Sequence, residues 1–216
     1  MNEFLYTFSD NVFSDNGEDG INQKIFEHLK IKDGVLLEIG AWDGFHSSNC
    51  ANLWSKDKNF KSILIESTNR LDKIKLESEY DNIECFNIFV NENSTLEKII
   101  DECKFYVNEN NFVLCSIDVD GPDIEVANSL GKYKPKILIL ESNGTLNNSQ
   151  IRGVSIEEWI DWADEMKYSF IGMSGIVNQQ AGNLYFCRND LKKHFSITKE
   201  HWKKRGILLS GGLVYE

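Results

Sequence analysis

Val35-Leu36-Leu37-Glu38-Ile39-Gly40-Ala41-Trp42-Asp43-Gly44 decides the fold. Five residues, four of them apolar, end at a glycine-bounded turn, and a polar Ser47-Ser48-Asn49 start of a helix follows. A short continuous apolar run bounded by turn residues reads as a strand buried on both faces of a parallel sheet. Gly40 permits a sharp turn and a close backbone approach. Outward from it, Ser62–Glu66, Ile83–Phe89, Phe112–Asp118 and Lys136–Glu141 repeat the pattern. Helical spacings separate them: Ile21, Ile25, Phe26 and Leu29 before the first strand, then Ala51, Leu53 and Trp54, then Leu71, Ile74 and Leu76 after a Thr68 cap. Ser94-Thr95-Leu96-Glu97 and Ser155–Glu158 match capping boxes, and Gly121-Pro122 opens a helix. Two last strands, near Phe170–Met173 and Leu184–Arg188, are joined by a glycine-rich polar link too short for a crossover, which predicts antiparallel pairing. Strand and helix alternate five times before that hairpin. The expectation is α/β, a Rossmann-like, doubly wound, mostly parallel seven-stranded sheet ending in an antiparallel hairpin.

The 216 residues fit one domain: an N-terminal loop and helix over 1–32, a core over 33–190 and a locally basic tail over 191–216. A net charge of −11 argues against a nucleic-acid partner, which requires a basic footprint. The five cysteines, Cys50, Cys85, Cys103, Cys115 and Cys187, are widely spaced and form no CxxC pair. Reduced thiols and a cytoplasmic location are expected. The opening residues carry no basic n-region, so no signal peptide is expected. No apolar run reaches the ~20 residues of a membrane span.

Glu66 closes the second strand, where an acid takes ribose hydroxyls in this class of fold. The turn lacks the second glycine of G-x-G-x-x-G. Bulky Trp42 and anionic Asp43 there oppose a dinucleotide phosphate but tolerate a cationic cofactor such as S-adenosylmethionine.

Several segments together resemble the FkbM-type branch of class I S-adenosylmethionine-dependent methyltransferases. They are Asn16-Gly17-Glu18-Asp19-Gly20, Glu38 to Gly44 with Ser48-Asn49, Ile65-Glu66, Ser116-Ile117-Asp118-Val119-Asp120-Gly121 and Leu140-Glu141. The resemblance runs from about Ser14 to Asn143. It implies O-methylation of a hydroxyl on a sugar, polyketide or related natural product, and a saccharide, sugar nucleotide or glycoconjugate precursor is the expected acceptor. It also implies that Glu38, Gly40 and Ala41, flanked by Trp42 and Asp43, border the methionine part of the cofactor. Glu66 would bind the ribose and Asn91, beside Val90, would lie near the adenine. Glu18 and Asp19 would close over cofactor or acceptor, or serve as a plain loop and helix cap.

A sugar hydroxyl needs a base or a metal to become a nucleophile. Asp118 and Asp120 follow the fourth strand, and Glu141 and Asn143 the fifth. Adjacent strands lie ~4.8 Å apart, so these tips can converge. Asp118, Asp120 and His46 are the candidate catalytic groups. Asp118, which also counts among the cofactor contacts, joins Glu141 and Asn143 as candidate ligands of Mg²⁺ or Mn²⁺. Plainer readings stand beside these: Asp120 as part of a turn, Glu141 bonded to a backbone amide, His46 as a helix-entry residue. His28, His194 and His201 receive no role, and Trp159 and Trp162 read as packing. The basic run from Arg188 to Arg205 reads first as solvated surface, and second as a contact for a phosphate on the acceptor. Two other functions fit the same sheet, an NAD(P)-dependent oxidoreductase and a non-catalytic nucleotide-binding module.

Overall fold

The structure is a computed structural model that describes residues 1–119, 121–142, 154–174, 176–177, 180–181, 183–197 and 200–201. Four strands form the parallel half of the sheet with β5: β1 (Gly34–Ile39), β2 (Phe60–Glu66), β3 (Ile83–Asn87) and β4 (Phe112–Ile117), followed by β5 (Ile137–Leu140). β6 (Tyr168–Met173) comes next, then a small ribbon of β7 (Ile176–Val177) and β8 (Gln180–Ala181), then β9 (Leu184–Arg188). The seven-stranded order is β3-β2-β1-β4-β5-β9-β6. β9 runs antiparallel to both β5 and β6, so the expected hairpin is present and its second strand is inserted between.

Pleating sends alternate residues of the buried strands to opposite faces. Leu37, Ile39, Ile63, Ile65, Cys115 and Ile117 pack on one face, under Leu96, Ile99 and Ile100 of α4 (Leu96–Glu102), Val126 of α5 (Asp123–Asn128) and Trp159 of α6 (Ile156–Glu165). Leu36, Leu64 and Leu114 pack on the other, under Ile21 and Ile25 of α1 (Glu18–Leu29), Trp54 of α2 (Ala51–Trp54) and Leu76 of α3 (Lys73–Glu79). Three helices on each face make the sheet doubly wound. Glu38 belongs to the second face by this alternation, and it is buried there.

The Ser155–Glu158 capping box forms in both halves. The other box does not: Thr95 is the cap and its hydroxyl accepts from Lys98 N, one residue later than the motif implied. Thr68 does not cap α3 either. Asp72 does, accepting from Lys75 N, and Ile74 is left 86% exposed. Cys50, Cys85, Cys115 and Cys187 are buried free thiols and Cys103 is half-buried. Among the described residues no helix is long and apolar enough to cross a membrane.

Candidate functional site

Strand order reverses at β1, which has β2 on one side and β4 on the other. Ligands of open α/β sheets bind at such a switch point, outside the carboxyl ends of the strands. A cavity of about 520 Å³ opens there, in the size range of small-molecule sites. Its floor is Ile39 and Gly40 of the first turn, and its walls include Glu66, Asp118 and Glu141 at the tips of β2, β4 and β5.

The glycine turn is fixed by main chain. Gly40 N and Ala41 N both donate to Ile65 O at 3.0 Å, and Asp118 N donates to Ile39 O at 3.2 Å. Gly40 has φ +82°, and a Cβ there would overlap the carbonyl oxygen of Asp118. The close approach this glycine permits is therefore made by the neighbouring strand's own backbone. Trp42 follows at φ +50°, a left-handed conformation that a bulky residue rarely adopts. Its N–H donates to Glu66 Oε2 at 3.0 Å, while Thr68 N donates to Glu66 Oε1 at 2.9 Å. Each carboxylate oxygen has two lone pairs, so Glu66 is braced from both rims and keeps acceptor capacity toward the cavity.

Of the residues assigned to a cofactor from sequence, Gly40, Trp42, Glu66 and Asp118 line the cavity. Glu18, Glu38, Ala41, Asp43 and Asn91 are not part of its wall. Glu38 is turned into the α1–α2 face. It accepts from Ser48 Oγ at 2.6 Å and from Asn49 N at 2.6 Å, while Asn49 Nδ2 reaches Ser116 Oγ on β4. Burial pushes its carboxyl up to about 7, against the pull of those two donors and with the help of nearby Asp118 and Asp19. Asp43 accepts from Phe45 N and His46 N in the turn. Burial alone would raise its pKa, but these N–H groups outweigh it and hold the carboxyl below the usual range. Asn91 closes its own turn, accepting from Asn93 N and Ser94 N, while its neighbours Phe89 and Val90 line the cavity.

Glu18 and Asp19 bond within the loop, and neither side chain caps α1, whose N-cap is Gly17. Glu18 accepts from Asn16 N and from Asn183 Nδ2, and Asp19 Oδ2 gathers Val12 N, Phe13 N and Ser14 N. The loop does reach the cavity, but through Asp15, whose carboxylate receives Ser47 Oγ. Sequence reasoning missed Asp15, because only tertiary closure brings it to the rim. It also missed Arg70, which lines the cavity with its guanidinium carbon 3.5 Å from the centre of the Trp42 ring. A lone cation four residues past the β2 acid was the available signal.

His46 and Glu141 line the cavity as well, with the His46 ring 5.7 Å from that of Trp42. Trp159 Nε1 donates to Glu141 O at 2.7 Å, which anchors α6 to the β5 tip and accounts for Trp159 as packing. Asp120 and Asn143 lie outside the described residues, as does the tail from residue 202. Among the described residues no three His, Cys, Asp or Glu side chains gather to hold a metal ion.

No protein-family model matches the sequence, and no curated protein matches it. Solved structures do. CurJ carbon methyltransferase superposes with a TM-score of 0.54 at 12% identity, over 85% of this chain and 57% of that one. The CMeT domain of citrinin polyketide synthase gives 0.53 at 10% identity, over 79% and 51%. The N-terminal domain of EvdMO1 with SAH bound gives 0.52 at 10% identity, over 85% and 83%. The chain thus spans little more than half the length of the first two. At such identities the likeness is one of architecture: this sheet is shared with a carbon methyltransferase and with a domain that holds SAH.

Proposed function

We propose that the chain is an S-adenosylmethionine-dependent methyltransferase acting on a hydroxyl of a saccharide, sugar nucleotide or glycoconjugate precursor. The observation that carries this reading is Glu66: a carboxylate braced by two main-chain N–H groups and set into the wall of the switch-point cavity, beside the Gly40 turn. The FkbM-type pattern of residues supports the hydroxyl acceptor, and the shared architecture supports the donor.

The lining suits the donor's charge. Asp15, Glu66, Asp118 and Glu141 put four carboxylates around one cavity, against the single guanidinium of Arg70, which favours a sulfonium and an ammonium. An NAD(P)-dependent oxidoreductase is disfavoured because the turn lacks the second glycine that lets a pyrophosphate approach the backbone. When bound, the donor supplies a methyl group on positively charged sulfur. Glu66 holds the ribose hydroxyls, and Ile88, Phe89 and Val90 give an apolar wall for the base. Most of the acceleration comes from alignment of oxygen, carbon and sulfur. The acceptor's proton leaves to a carboxylate oxygen of Asp118, exposed at the β4 tip, with His46 across the cavity as the other candidate base. Asp118 and Glu141 are the described residues that would hold a Mg²⁺ or Mn²⁺ ion, which would lower the pKa of the acceptor hydroxyl, and no step is assigned to it.

The test is calorimetry with S-adenosylhomocysteine, followed by methyl transfer from labelled S-adenosylmethionine to a panel of sugars, sugar phosphates and sugar nucleotides, with and without EDTA. Binding and an oxygen-linked methyl product are expected. A well-folded protein that gives no heat with S-adenosylhomocysteine overturns the reading. A product methylated at carbon overturns the O-methyl part alone.

A further inference from the structure

Arg70 is the one permanently cationic side chain among the described residues of the cavity wall, facing four acids in a protein of net charge −11. It nevertheless forms no ion pair with any described carboxylate. The next cation along the chain, Lys73, is paired with Glu77 at 3.6 Å. What holds Arg70 instead is Trp42, whose ring lies 3.5 Å from the guanidinium carbon. Stacking uses the flat face of a guanidinium and leaves its in-plane N–H fork for an oxyanion. The main chain of Trp42 is held by its N–H bond to Glu66, and its ring stays 43% exposed, a surface platform rather than core. The His46 ring, 5.7 Å from the Trp42 ring, adds a second group able to donate to an anion on the same rim.

We propose that Arg70, laid on Trp42, binds a phosphoryl group carried by the acceptor. This rests on the methyltransferase reading for the word acceptor, and on the geometry alone for the anion site. In a wall this acidic, an anionic acceptor is repelled everywhere except at the stacked cation, so Arg70 selects for phosphate-bearing molecules and fixes which end of them enters.

Calorimetry on the full chain saturated with S-adenosylhomocysteine tests it, with inorganic phosphate as the probe and ionic strength held constant with chloride. Phosphate should bind the wild type, bind Arg70→Ala at least tenfold more weakly, and bind Arg70→Lys with an intermediate affinity, since lysine keeps the charge but not the fork. Affinity for S-adenosylhomocysteine should stay within twofold in both variants. Glucose 6-phosphate should bind at least as tightly as free phosphate, and acetate at least tenfold more weakly. The proposal is overturned by no phosphate heat in the wild type, by equal phosphate affinity in Arg70→Ala, or by acetate matching phosphate. Tenfold weaker binding of glucose 6-phosphate also overturns it, because that marks a site closed to esters. So does a loss of S-adenosylhomocysteine affinity in Arg70→Ala, which gives the side chain to the donor instead. The phosphate titration is repeated without S-adenosylhomocysteine. Arg70-dependent phosphate binding in a chain that never binds S-adenosylhomocysteine sinks the methyltransferase reading and leaves the anion site standing.

Discussion

Glu38 and Glu66 stand near the carboxyl ends of adjacent parallel strands, and their surroundings are opposite. In the β1–β2 register Glu38 is level with Leu64, so Glu66 sits two residues nearer the edge. That offset is about one full pleat repeat, or ~6.6 Å. Glu38 is swallowed by the α1–α2 face, and its two hydrogen bonds tie the segment from Ser48 to the first strand. Glu66 ends β2 at the tip, where main-chain donors brace it and its carboxylate, though buried, is part of the cavity wall. Two similar residues in similar runs thus do different work. One secures the chain after the glycine turn from behind, and the other meets whatever fills the cavity.

The largest effect should come from removing what lets both acids keep their places. In Gly40→Ala the new methyl overlaps Asp118 O, and φ +82° is a strained angle for alanine. β4 must then move away from β1, which also disturbs the Asn49–Ser116 link to Glu38. Urea unfolding should show a loss of roughly 4 kcal/mol, in the exceptional range for one substitution. A loss below about 1 kcal/mol would mean that the strand tips shift freely, and the contrast between the two acids would then be accidental.

Next comes the pH response of Glu38. Its pKa rises from 4.5 to about 7 on folding, so the folded chain holds this proton more tightly than the unfolded one. Its contribution to stability is complete below pH 4.5 and is lost as pH rises through about 7. At 1.36 kcal/mol per pKa unit the loss is about 3 kcal/mol. Other carboxyls of the chain move the opposite way, Asp43 and Asp190 among them, so the comparison of Glu38→Gln with wild type isolates the group. Between pH 5 and pH 8, unfolding free energies should shift in favour of Glu38→Gln by up to about 3 kcal/mol. A difference independent of pH would show that Glu38 is charged in the fold at every pH tested.

The strands were legible in the sequence, but the contrast between the two acids was not. Continuous apolar runs belong to strands covered on both faces, and those runs located the parallel strands. The Ser155 box was legible because cap and acid bond within one turn. Errors arose where a nearer partner competed. Ser94 N is claimed by Asn91 Oδ1, which passes the cap to Thr95. The Thr68 hydroxyl accepts from Arg70 N ahead of the helix, and Asp72 caps α3. Counting helical spacing from Leu71, before that cap, then put Ile74 on the wrong side. Alternation places Glu38 on a face, but nothing local says which face carries helices and which edge carries the cavity. Asp15 and Arg70 are set by tertiary contacts with Ser47 and Trp42, and only Arg70, four residues past Glu66, had a signal in the sequence.

Glu66→Gln should give the smallest effect on the fold and the clearest on binding. The amide has one acceptor oxygen where the carboxylate has two. One of Trp42 N–H and Thr68 N–H then faces an NH₂ group, and no full charge remains for ligand hydroxyls. A hydrogen bond to a charged group contributes about 1.5–3 kcal/mol, so affinity for S-adenosylhomocysteine should fall on the order of tenfold to a hundredfold. Stability should change by only about 1 kcal/mol, because Glu66 lines the open cavity whereas Glu38 is packed beneath the helices. Calorimetry on Glu38→Gln and Glu66→Gln at pH 8 then separates the two acids. Glu38→Gln should keep its affinity within about threefold, since that side chain never enters the cavity wall, and a hundredfold drop there would reverse the roles assigned to the pair.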